Sequence, residues 1–121
     1  MVETSETSEA HASDIANDAA GAKLTVVVPV YNRAELVGRT LDSIAAQTLR
    51  PLNVILVDNA STDASKAVMH KWKSEHNEVG GLSVKLLDES AVGACAARNR
   101  GLAEVATPWV MFFDSDDIMA P

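Results

Sequence analysis

Four short apolar runs recur along this chain at residues 24–28, 52–57, 82–87 and 109–113, and each pair is separated by a stretch with helical spacing. The first run is β-branched (Val26, Val27, Val28) and ends at Pro29. The second, Leu52-Asn53-Val54-Ile55-Leu56-Val57, is almost continuously apolar. Runs of this kind suit strands buried on both faces of a sheet. Between the first two, Val37, Leu41, Ile44 and Thr48 recur at spacings of four, three and four, which predicts an amphipathic helix over 34–48, closed before Pro51. Ser61, Thr62 and Asp63 are candidate N-caps for a second helix that carries Ala64, Val68 and Trp72 on one face and runs to about residue 76. Gly80-Gly81 breaks the chain before the third run, and a small-residue helix is expected over 91–105. The order is β-α-β-α-β-α-β. It implies right-handed crossovers and an α/β fold with a mostly parallel sheet, helices on both faces, and at least four strands alternating with three helices.

Charge is unevenly placed. Residues 1–22 hold Glu3, Glu6, Glu9, Asp14 and Asp18 with no Lys or Arg, whereas twelve acids face ten bases from Lys23 onward. Residues 1–22 are also rich in Ala, Ser and Thr, and are expected to be a disordered acidic tail. The folded part, residues 23–121, is nearly balanced and shows no basic stripe, which argues against nucleic acid as a partner. No run reaches the roughly 20 apolar residues of a membrane span. The lone Cys95 fits a reducing compartment, hence a cytoplasmic or membrane-peripheral protein, and is expected to be a small core residue of the third helix. Trp72 and Trp109 are likewise expected in the core. His11, His70 and His76 lack metal-ligand spacing with the cysteine, which disfavours zinc.

In a parallel α/β sheet, ligands collect beyond the carboxyl ends of the strands. The polar residues gather there: Tyr31-Asn32-Arg33 after the first strand, Asp58-Asn59 after the second, and Asp114-Ser115-Asp116-Asp117 after the fourth. Neither a G-x-G-x-x-G turn nor a G-K-[ST] loop is present, which disfavours hydride transfer and P-loop chemistry. Three carboxylates within four residues suit a hard divalent cation, Mg2+ or Mn2+, acting as a Lewis acid on a diphosphate. Arg98 and Arg100, in the helix before the fourth strand, are candidates for pairing with phosphate or with the acidic cluster. The bland alternative for 114–117 is a solvated turn and helix cap.

The run Val27-Val28-Pro29-Val30-Tyr31-Asn32-Arg33 resembles the start of family 2 glycosyltransferases of the GT-A fold. So do Gln47-Thr48, Val57-Asp58-Asn59-Ala60-Ser61-Thr62-Asp63, Ala97-Arg98-Asn99-Arg100-Gly101-Leu102 and Phe113-Asp114-Ser115-Asp116-Asp117, in the same order along the chain. The resemblance implies a nucleotide-sugar-binding half with sugar-transfer function. It places Pro29, Tyr31 and Arg33 around the nucleoside, and Asp58 and Asn59 at the base or ribose. Asp114 and Asp116 become the D-x-D that holds ribose and metal, with Asp117 adjoining. Many members carry a second acid where this chain has Asn59. The family continues past the D-x-D into acceptor-binding elements, so a catalytic base is expected downstream of Pro121. The acceptor (glycan, lipid or protein) is not encoded here. The competing expectation is an interaction module that keeps the sheet without the activity.

Overall fold

The computed structural model describes residues 2–3 and 21–114. The elements run β1 (Val2–Glu3), β2 (Leu24–Val30), α1 (Val37–Ala45), β3 (Leu52–Asp58), α2 (Ser65–His76), β4 (Leu82–Asp88), α3 (Ala94–Leu102) and β5 (Trp109–Phe112). They form one five-stranded sheet in the order β1-β5-β2-β3-β4. Strands β5, β2, β3 and β4 are mutually parallel, and β1 adds antiparallel to the outer edge of β5. The expected α/β architecture with four strands and three helices is therefore present. Val2 and Glu3, in the stretch read as a disordered tail, pair with Val110 and Trp109. Edge pairing uses backbone N–H and C=O groups, which every residue but proline supplies, so composition does not reveal it.

Side chains alternate between the two faces of the sheet. On one face, Val26, Val28, Val54 and Leu56 pack with Val37, Leu41 and Ile44 of α1 and Met69 and Trp72 of α2. On the other, Val27, Ile55, Val57 and Val110 pack beneath Ala97 of α3. Here the helix comes unusually near the sheet: a Cβ added at Gly101 would collide with Val27 and lie 3.2 Å from Val57 Cγ2. Only glycine fits there.

The helix ends differ from the periodicity for local reasons. α1 closes at Ala45, three residues before Thr48, because Arg50 folds back: its guanidinium donates to Ala45 O at 2.7 Å and Gln47 O at 2.8 Å, occupying carbonyls that a helix end leaves open. α3 begins at Ala94 rather than Ala91, since the preceding loop is held by Asn59 and turns at Gly93 with φ +140°. In α2 none of the three candidates is the cap: the helix starts after Ala64, without a side-chain cap bond, and Asp63, one residue earlier, accepts the Ser65 N–H on Oδ1 at 2.9 Å. Trp72 is in the core, as expected. Trp109 is not: it lies at the start of β5, 40% exposed. Cys95 is also exposed, because it shares no face with the buried Ala97 and Gly101 of α3. No helix among the described residues is long and apolar enough to cross a membrane.

Candidate functional site

β2 has β3 on one side and β5 on the other, so the chain reverses its direction of sheet growth at β2. At such a switch point the loops that follow the strands diverge and leave a crevice. Pro29 deepens it. Val27 O accepts the Phe113 N–H at 2.9 Å, so odd residues of β2 aim their backbone groups at β5. Pro29 is the next such position and has no N–H to give. The β2–β5 ladder stops at Val27 and Phe112. Beyond it lies a cleft of about 360 Å³ lined by Pro29, Val30, Tyr31, Arg33, Asn59, Val92, Gly93, Ala94, Ala97, Arg98 and Asp114.

One wall is built by two loops laced together. Asn32 sits at φ +49°, a left-handed conformation that asparagine tolerates. Its Oδ1 accepts the Thr62 N–H at 2.8 Å and the Asp63 N–H at 3.3 Å, while its own N–H donates to Ser61 Oγ at 3.0 Å. Arg33 N donates to Ser65 Oγ at 2.7 Å, and Ala34 N to Asp63 Oδ2 at 3.2 Å. Hydrogen bonds from the Ser65 hydroxyl and backbone hold the Asp63 carboxyl below its ordinary value. This lacing fixes the backbone that carries Tyr31 and Arg33. Tyr31 is 45% exposed, so its ring is available to a ligand. The Arg33 guanidinium is also exposed and donates to Asn32 O at 3.2 Å.

The opposite wall is the segment from Val92 to Arg98. Val92 is 69% exposed at the rim. Arg98 approaches Asp114 across the mouth, with 4.0 Å between Nη2 and Oδ1 and both side chains substantially in solvent. So loose an exposed pair contributes little to stability, and it leaves both groups able to turn to a ligand.

Asn59 forms part of the floor. It is 3% exposed, and its amide is engaged with the 89–93 loop: Nδ2 donates to Glu89 O at 3.1 Å and Ala91 O at 2.7 Å, and Oδ1 accepts the Gly93 N–H at 3.0 Å.

The structure thus brings Pro29, Tyr31, Arg33, Asn59, Arg98 and Asp114 to one cleft. Asp58 is placed elsewhere. It shares a strand face with Val54 and Leu56, on the α1/α2 side, and does not line the cleft. It is 4% exposed, and its Oδ1 has no hydrogen-bond partner among the described residues. Nearby Lys66 bonds Asp88 Oδ1 at 2.8 Å. That bond, and the negative charges of Asp88 and Asp58, raise the Lys66 pKa above its ordinary value. Arg100 pairs instead with Glu104, in the turn that follows α3. Asp116 and Asp117 lie outside the described residues. Among the described residues no group of three or more His, Cys, Asp or Glu is arranged for a metal. Val92 and Gly93 were missed from sequence. The signal for Gly93 was a lone glycine directly before a helix of small residues.

A parallel sheet whose switch point gathers an aromatic, two arginines and a carboxylate defines a class of α/β proteins with an open crevice at the strand ends. The comparisons narrow the class. The sequence model of glycosyl transferase family 2 matches residues 25–121, and the chain belongs to that family. It is 39% identical over 99 residues to the teichoic acid poly(glycerol phosphate) polymerase of Staphylococcus epidermidis, a match over 81% of this chain and 13% of that protein. It is 35% identical over 95 residues to glycosyltransferase GlyA of Streptococcus pneumoniae, covering 78% and 13%. Among solved structures, the mannosyltransferase PcManGT from Pyrobaculum calidifontis, in complex with GDP-Man and Mn2+, superposes with TM-score 0.75 at 30% identity, over 87% of this chain and 31% of that one. Residues 1–349 of S. aureus TarS in complex with UDP give TM-score 0.70 at 29% identity, over 79% and 28%. The fold is therefore that of the GT-A family 2 enzymes, and the chain spans less than a third of the length of each of these relatives.

Proposed function

We propose that this chain holds the nucleoside-diphosphate sugar donor of a metal-dependent glycosyltransferase, which passes the sugar to a glycan, lipid or protein acceptor. The cleft at the β2–β5 switch point carries the reading, because it joins an exposed aromatic, two arginines and a carboxylate that come from three separate segments. Tyr31 and Pro29 offer apolar and aromatic surface to a nucleoside. Arg33 and Arg98 offer charge to a diphosphate. Asp114 presents hard oxygens at the mouth, and with Asp116 and Asp117 it would hold Mn2+ or Mg2+; the largely exposed Asp114 carboxylate, met among the described residues by a 4.0 Å ion pair, fits that use. A bound divalent cation supplies Lewis-acid neutralisation of a departing diphosphate. The protein's own groups bind and orient the donor. Asp58 belongs to this reading as the base- or ribose-contacting acid that the family resemblance implies; its buried Oδ1, without a hydrogen-bond partner among the described residues, supports that use. The catalytic base is assigned to the sequence beyond the D-x-D. The free, exposed thiol of Cys95 supports a cytoplasmic placement.

Titration calorimetry of the 121-residue chain with UDP, GDP and dTDP, with and without Mn2+, tests the proposal. At least one nucleotide should bind, and more tightly with the metal. A folded sample that binds none of the three leaves the competing interaction-module reading in its place.

A further inference from the structure

We infer that Asn59 is a positioning residue that sets the floor of the cleft through the 89–93 loop, and that the nucleobase is recognised by other groups. The inference rests on the donor-binding reading above. The Asn59 amide has two N–H donors and one carbonyl oxygen. Both donors are used, on Glu89 O and Ala91 O, and the oxygen takes the Gly93 N–H. The partners fix the orientation of the amide: turned over, its oxygen would face two carbonyl oxygens and its NH2 would face an N–H. What remains for a ligand is one lone pair on a side chain that is 3% exposed.

The held loop matters to the cleft. Gly93 ends it with φ +140°, and Ala97 N donates to Gly93 O at 3.1 Å, so Gly93 sets where α3 begins. α3 in turn places Ala94, Ala97 and Arg98 on the cleft wall. Asn59 therefore acts on the phosphate-facing arginine through three backbone bonds and a helix start. A carboxylate at the same position has no proton to donate. It would repel Glu89 O and Ala91 O, so Asn59→Asp is disruptive here despite its identical shape.

The test measures binding of UDP, GDP and dTDP with Mn2+ to the full chain carrying Asn59→Ala or Asn59→Asp, alongside melting temperature and amide exchange at Gly93. Both variants should weaken all three nucleotides by the same factor, about tenfold. Gly93 exchange should accelerate while the Val54 and Leu56 amides keep their protection. A change of several-fold in the ratios between nucleotides, with Gly93 exchange as in the wild type, would show that Asn59 reads the base and overturn the inference. So would an Asn59→Asp protein with wild-type affinity. Gly93→Ala is the second variant, because it strains the same loop and leaves Asn59 in place; it should reproduce the uniform loss, and unchanged affinity counts against the inference. If the wild type binds no nucleotide, the donor-binding reading fails, and Gly93 exchange in Asn59→Ala still decides whether Asn59 holds the loop.

Discussion

On the face covered by α1 and α2, Leu41, Ile44, Met69 and Trp72 are buried against Val26, Val28, Val54 and Leu56. Beneath α3, Ala97 and Gly101 meet Val27 and Val57. The first face gains its stability from apolar area removed from water. The second gives up that area for proximity, and α3 lies almost on the strands. The difference teaches where each property resides. The large side chains hold the sheet together, while the small ones lower a helix until its first turn becomes a wall of the cleft.

Substitutions can break this comparison. Leu41→Ala, in the larger core, should cost about 3 kcal/mol in chemical denaturation. Gly101→Ala adds a single methyl group but drives it into Val27, and should cost about 2 kcal/mol. It should also weaken nucleotide binding by tilting α3, an effect absent from any Leu41 variant that remains folded. A Gly101→Ala protein as stable as the wild type would sink the claim that closeness organises the α3 face. Next comes the laced wall. Asn32→Ala removes an acceptor from the Thr62 and Asp63 amides and should cost about 1 kcal/mol. The accompanying sign would be faster amide exchange at Thr62.

Arg98→Ala should move stability by no more than about 0.5 kcal/mol, since its partner Asp114 is loose and exposed. Its effect belongs to UDP or GDP affinity, and unchanged affinity would remove Arg98 from the phosphate site. The smallest effect is one of pH. Asp63 titrates below its ordinary 3.8 because Ser65 donates to its ionised form. Its stabilisation is fully present above 3.8 and is lost as pH falls through the lower folded value. Melting curves of wild type and Asp63→Asn should differ above that window and converge below it. Parallel curves across the whole range would rule out the Ser65–Asp63 contact as the cause.

Much of the fold was legible because parallel strands buried on both faces leave continuous apolar runs, as in residues 52–57. Helix periodicity placed Val37, Leu41 and Ile44 on the inward side. The helix ends escaped it, because they are set by side chains outside the helices, Arg50 turning back on Ala45 O and Gln47 O and Asn59 reaching Glu89 O and Ala91 O, and spacing carries no sign of either. The cleft was legible as a meeting of strand ends, and Tyr31, Arg33, Arg98 and Asp114 do meet there. Less legible was the division of labour within one dipeptide. Asp58 and Asn59 are adjacent in sequence, yet alternation along the strand turns Asp58 to the α1/α2 face while Asn59 reaches the loop before α3. Trp109 and Cys95 were expected inside and lie outside, since a large or small apolar residue is buried only if the neighbouring element extends over it.

Pro29 has one more consequence. Most strand flanks present an unspent N–H to whatever comes alongside, and a ligand must either satisfy that donor or strand it dry. Here the flank that borders the cleft is carbon, a pyrrolidine ring where a donor would stand. A flat, greasy molecular surface can rest on that ring without stranding a backbone N–H.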